Sequence, residues 1–199
     1  MRLYQECYAA KRTPSIVTVP PIPVLAVDGE GDPDGPAYKE AVSALFGVSY
    51  AARFALKRAG ILDYSVMPLE GLWWSGDDSV KDITTVDRAT WRWTMLIAQP
   101  AEATATVVDD AVAATRRKRP SPALDRLQRR TAEAGEAAQI LHIGPYAAER
   151  PTIETLLRFI DESGHTTIGR HHEIYLSDPS RAAPEKLRTI LRYRISRPR

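Results

Sequence analysis

The residues best suited to chemistry fall in two short stretches. All four tryptophans of this 199-residue chain lie between positions 73 and 93, as Trp73, Trp74, Trp91 and Trp93. The runs that carry them, 64–74 and 91–98, are aromatic and β-branched enough to be strands of one sheet. Successive side chains of a strand face opposite ways, so Trp74 shares a face with Glu70 and Leu72 while Trp73 points with Met67 and Leu69. Trp91, Trp93 and Met95 share a face in the same way. Any one tryptophan is also a good core residue, but four indole N–H groups are hard to satisfy in a closed core. The cluster therefore reads as the wall of a pocket for a flat ligand.

The second stretch is His171-His172-Glu173-Ile174-Tyr175-Leu176. Alternation puts His171, Glu173 and Tyr175 on one face and gives Ile174 and Leu176 to the face packed by a helix. A partly desolvated carboxylate between a histidine and a tyrosine can act as a base or pair with a cationic ligand. His171, Glu173 and the distant His142 also resemble scattered metal ligands. No paired spacing such as H-E-x-x-H occurs, however, so no metal is expected. A nucleophile elbow, a P-loop and a dinucleotide fingerprint are all missing from the sequence, which leaves acyl, phosphoryl and hydride transfer without support and implies no cofactor.

These residues need a scaffold, and the composition is that of a globular protein, 44% hydrophobic and 26% charged. No run approaches the roughly eighteen apolar residues of a membrane span, and residues 1–20 lack the apolar block of an export signal. A single cysteine, Cys7, fits a reducing compartment, so the expected location is cytoplasmic, with no membrane partner. The net charge of +2 is too small to argue for nucleic acid. The basic run Arg116-Arg117-Lys118-Arg119, with Arg126, Arg129 and Arg130 beyond it, lacks interleaved aromatics and reads as a solvated helix face. Nothing in the sequence fixes the oligomeric state; a monomer is compatible with it.

The first strand is expected at 22–27, after Pro20, Pro21 and Pro23. A helix follows from Gly35-Pro36, with Tyr38, Ala41, Val42, Leu45 and Phe46 as its apolar stripe, a possible kink at Gly47 and a stop at Gly60. Helices are also expected over 102–119 and 123–134, separated by Pro120-Ser121-Pro122, and over 151–162, stopped by Gly164. Strands are expected over 137–146, 170–177 and 189–196. Gly35-Pro36 recurs as Gly144-Pro145, each followed by a tyrosine, Tyr38 or Tyr146. Each then leads to a helix, a stopping glycine and a strand with one carboxylate, Glu70 or Glu173. The expected fold is α+β, a single domain over 1–199. It is a pseudo-twofold tandem repeat of strand-helix-strand-strand units, with halves at about 20–119 and 120–197 and a ligand cleft between them.

Met67-Pro-Leu-Glu-Gly-Leu-Trp-Trp74, Leu141-His-Ile-Gly-Pro-Tyr146, His171-His-Glu-Ile-Tyr-Leu-Ser-Asp-Pro179 and Ala183-Pro-Glu-Lys-Leu187 occur in this order. With 8–20 they make almost the whole chain resemble the GyrI-like small-molecule-binding family in a free-standing form. The resemblance implies a tandem SHS2-type fold around a ligand cleft and two classes of function. Some members are effector domains of multidrug-sensing regulators, in which a buried glutamate and aromatics hold flat cationic drugs. Others are hydrolases that open the cyclopropane of DNA-alkylating natural products related to CC-1065 and yatakemycin. No helix-turn-helix pattern precedes the first strand, so direct nucleic-acid binding is not expected and the hydrolase is favoured; a non-catalytic binder is the alternative. On that reading Trp73, Trp74 and Trp93 stack a flat aromatic substrate, with Tyr38, His142 and His171 beside it. Tyr146 or Tyr175 donates to its carbonyl and Glu173 activates water, with Glu70 as the rival for that role.

Overall fold

A computed structural model describes residues 4–76 and 83–198. In chain order its elements are β1 (Ser15–Val19), β2 (Ile22–Glu30), α1 (Pro36–Arg58), β3 (Leu69–Trp74), β4 (Arg92–Ala98) and α2 (Ala105–Lys118). A short α3 (Ala123–Arg126) follows, then β5 (Gln128–Ala132), β6 (Gly135–Ile143), α4 (Arg150–Glu162), β7 (Thr166–Tyr175) and β8 (Arg188–Ser196). The eight strands form one antiparallel sheet in the order β1-β6-β8-β7-β3-β4-β2-β5, curled into a half-barrel. No helix among the described residues is long and apolar enough to cross a membrane.

Helix α1 begins on Pro36, whose fixed φ and missing N–H suit a first turn, and ends before Gly60, which takes the left-handed φ of +68°. It is continuous through Gly47. The glycine serves for close approach: a Cβ there would stand 2.8 Å from Cγ2 of Thr115 on α2. Its buried stripe, Ala41, Ala44, Leu45, Val48, Ala52 and Leu56, faces the sheet and α2. Helix α4 buries Ile153, Leu156 and Ile160 against Ala138, Ile140, Leu191 and Tyr193. Each leucine, isoleucine or valine among them contributes about 1.5–3 kcal/mol of burial.

Two expectations are corrected here. The segment after Pro122 holds only a helical turn and then strand β5. Ladder pairing with β2 captures it, overriding the helix propensity of 123–134. The first strand, expected at 22–27, is preceded by β1, which pairs with β6 from Ser15↔Gln139 to Val19↔Gly135.

The central pair is β3 with β7, in register Leu69↔Tyr175, Gly71↔Glu173 and Trp73↔His171. Paired residues share a face, so these six side-chain positions look to one side of the sheet. It is the side covered by α1 and α4, because Tyr38 of α1 stacks on Trp73 and Leu191, paired with Glu173, packs against α4. This corrects the expectation for Ile174, which turns to the opposite face and packs with Leu141, Ile190 and Tyr8. Strand β7 carries a bulge between Ile168 and His172 that includes Gly169 at φ +77°. A bulge re-aims the residues at and beyond it, and here those residues include His171 to Tyr175.

Candidate functional site

On the helix-covered face the structure brings together Glu173, His171, Tyr175, Tyr146, Trp73 and Tyr38. His171 Nε2 lies 3.1 Å from Glu173 Oε1. The Trp73 indole N–H donates to the Tyr175 hydroxyl at 3.0 Å, which leaves the tyrosine's own proton for another acceptor. Tyr38 stacks on Trp73 at 5.9 Å between centroids, and Tyr146 meets Tyr175 edge-on at 5.7 Å. Tyr146 is 39% exposed, so the cluster opens to solvent at that residue. Gly71 makes the space: a Cβ there would be 2.5 Å from Trp73 Nε1 and 3.0 Å from the Tyr175 hydroxyl.

A residue the sequence reading missed completes the site. Glu149 immediately precedes α4, where an acid would ordinarily be read as an N-cap, yet its side chain makes no capping bond. It is buried instead, with Oε1 unpartnered, and one donor atom each from Glu149, His171 and Glu173 lie within 4.8 Å of one another. Desolvation first, and the Glu173 carboxylate second, push the Glu149 carboxyl up to about 10. At neutral pH it therefore keeps its proton. Burial followed by the Glu149 and Glu173 charges pushes Tyr146 up to about 12, and burial followed by Glu173 holds Tyr175 well above the usual phenol range. Both tyrosines are donors. The Glu149–His171–Glu173 set is of a type that holds a divalent cation, although Glu149 would first have to lose its proton.

The other expected site residues either support this cluster or lie on the opposite face of the sheet. His142, near the end of β6, reaches the first turn of α4, with Nδ1 2.9 Å from the Thr152 hydroxyl and Nε2 3.3 Å from the Pro145 carbonyl, and burial lowers its pKa. It is a neutral strut that holds the Gly144-Pro145 turn. Trp93 is fully buried and meets Tyr38 edge-on at 5.6 Å, so it supports the wall from behind. Acceptors for the indole N–H groups exist after all: Trp93 donates to the Gly31 carbonyl and Trp91 to that of Val86. Glu70 and Trp74 are on the opposite face, separated from Glu173 by the thickness of the sheet. There the Tyr8 hydroxyl donates to Glu70 Oε1 at 2.5 Å, His172 Nε2 lies 2.7 Å from Oε2, and the Arg170 guanidinium sits 3.4 Å from the Trp74 ring centroid.

A curled antiparallel sheet with helices over one face is an architecture found in solved proteins. The chain is similar to an uncharacterised conserved protein from Listeria innocua, with 38% identity over 97% of each chain and a TM-score of 0.88. It is similar to a hydrolase from Listeria innocua, with 36% identity over 96% of each chain and a TM-score of 0.83. The EcmrR C-terminal domain shares the fold at 10% identity, over 94% of this chain and 98% of that one, with a TM-score of 0.60. No match is found among curated proteins. Residues 12–195 match the GyrI-like small molecule binding domain, and the chain belongs to that family.

Proposed function

We propose that the helix-side site binds a flat aromatic electrophile and adds water to it. The substrate is a DNA-alkylating cyclopropanoid of the CC-1065 or yatakemycin type, whose cyclopropane is opened, and the outcome is resistance to the drug. The observation that carries this reading is the carboxyl pair: Glu149, kept protonated by burial, beside Glu173, among Trp73, Tyr38, Tyr146 and Tyr175. Two carboxyls held in different protonation states supply an acid and a base at one pH. The Listeria innocua relative described as a hydrolase supports an enzyme over a passive binder.

A spirocyclopropyl dienone stacks on Trp73 and Tyr38 with its carbonyl toward the phenols. Glu173 takes a proton from water as the water oxygen bonds to the ring methylene. The carbon–carbon bond to the spiro centre breaks, and its electron pair flows into the six-membered ring. The dienone becomes a phenol, its oxygen receiving a proton supplied by Glu149 directly or through Tyr146 or Tyr175. One water is added in total, and the donors act where negative charge develops. We also read the two halves as copies of one unit. The sheet order supports this, because β2, α1, β3 and β4 recur as β6, α4, β7 and β8, and the strand preceding each unit pairs with the first strand of the other.

The test is to mix the purified protein with a cyclopropane-bearing alkylator of this type and follow the water-added product by mass spectrometry. Glu173→Gln is run alongside. Multiple turnovers that fall about 10²–10⁴-fold in the variant are expected. Tryptophan quenching without product would overturn the hydrolase and leave a sequestering binder.

A further inference from the structure

The inside of the curl holds a second polar arrangement, on the face of the sheet that the proposed reaction does not use. Val19 of β1 at one edge and Ala132 of β5 at the other both border one cavity of about 390 Å³, so the sheet bends around it. The size suits one small ligand, near the low end of the roughly 300–1,000 Å³ range of such sites. Its walls are apolar, with Val24, Leu72 and Leu96 among them.

The floor is charged. Glu70 is already satisfied there, by the Tyr8 hydroxyl on one oxygen and His172 on the other. Arg192 is not. It is only 4% exposed, and its Nε and Nη2 are taken by Gln139 Oε1 and the Cys7 carbonyl, neither of which carries a charge. Among the described residues Nη1 has no hydrogen-bond partner, and no carboxylate makes an ion pair with this guanidinium. A buried cation without a direct counter-ion is costly, and an anion that reached it would remove that cost. Arg130, Arg170 and Arg194 also line the cavity, against Glu70 and Glu133 as its only lining carboxylates among the described residues. All three of these arginines are engaged, Arg130 with Asp28, Arg194 with Glu133 and Arg170 on the Trp74 ring. The lining is net basic even so.

We propose that this cavity is a second binding site, for a small amphipathic monoanion whose carboxylate pairs with Arg192 and whose apolar body lies on Val24, Leu72 and Leu96. The site is independent of the hydrolase reading, since it uses the opposite face of β3 and β7. Glu70 and His172 line it, whereas their chain neighbours Gly71 and Glu173 belong to the helix-side site.

The probe is decanoate, titrated calorimetrically into the full chain, with decanol as its neutral isostere. Saturable one-to-one binding is expected, at least tenfold tighter for decanoate than for decanol. Arg192→Met should weaken decanoate at least tenfold and leave decanol unchanged. Leu72→Trp, which fills the cavity, should abolish both, while Glu173→Gln and Tyr38→Ala on the other face should leave both intact. Equal binding of decanol, full binding by a folded Leu72→Trp, loss of binding in Glu173→Gln, or no saturable binding would each overturn the proposal. Should Arg192→Met fail to fold, the decanoate–decanol comparison in the unmodified protein still decides it.

Discussion

Replacing Glu149 by glutamine should make the protein more stable, and by an amount that grows with pH. The carboxyl stands at about 10 in the folded protein against an ordinary 4.5, because burial and the adjacent Glu173 both oppose its charge. Below the unfolded value both states hold the proton and nothing is lost. Above it the unfolded chain releases its proton while the folded protein keeps it, so stability falls by up to about 1.4 kcal/mol per pH unit. The fall continues until the folded carboxyl itself ionises. At pH 7 the accumulated loss has a ceiling of about 3 kcal/mol. Glutamine has the same shape and no charge to release, and its NH₂ has the Glu173 oxygens as acceptors nearby. It should recover about 1–3 kcal/mol at pH 7 and nearly nothing at pH 4.5. The assay is urea unfolding of both proteins at half-unit steps from pH 4.5 to 8.5, with the gap in free energy plotted against pH. A gap that stays constant across this range would refute the reasoning, because only a proton held by the folded state produces the slope. Activity should move the other way: Glu149→Gln has no proton to transfer, and turnover of the alkylator should fall even as the fold tightens.

Gly71→Ala should displace the Trp73 indole or the Tyr175 hydroxyl, each within 3.0 Å of the added methyl, and cost about 1–3 kcal/mol in urea unfolding together with at least tenfold in ligand affinity read by tryptophan quenching. Leu156→Ala opens a cavity under α4 and should lower unfolding free energy by about 2–5 kcal/mol while leaving α1 and its side of the core packed, visible as unchanged hydrogen exchange in 41–56. His142→Phe removes both the Thr152 and Pro145 contacts; affinity should weaken because Tyr146 loses its fixed turn, and a crystal structure with an unmoved Tyr146 would count against the strut role. Tyr175→Phe should lower turnover about tenfold or more with little change in KM, since its hydroxyl acts on charge that develops only in the transition state.

The GyrI-like segments, the alternation of His171, Glu173 and Tyr175, the helix from Pro36 to Gly60 and the turn at Gly144-Pro145 were all legible in the sequence. They depend on local rules of period, proline and glycine that hold whatever the chain packs against. Strand β5 was not legible, because its residues favour a helix until the edge of β2 offers them hydrogen bonds. Nor was the role of Glu149: an acid before a helix has the same sequence signature whether it caps the helix or turns inward, and only the packing of α4 against β7 and β8 buries it.

The division of the site residues between two faces shows the same limit. Period-two alternation correctly separated Glu70 and Trp74 from Trp73, and His172 from Glu173, but alternation fixes only relative facing within one strand. Which face of β3 continues which face of β7 depends on the register Gly71↔Glu173, and which face the helices cover depends on how α1 and α4 cross the sheet. The sequence by itself determined which side chains travel together along each strand. The tertiary structure alone decided that Glu173 meets Glu149 under the helices while Glu70 meets Tyr8 and lies near Arg192 inside the curl. Contacts between residues far apart in the chain are set by sheet register and layer packing, and neither leaves a local mark in the sequence.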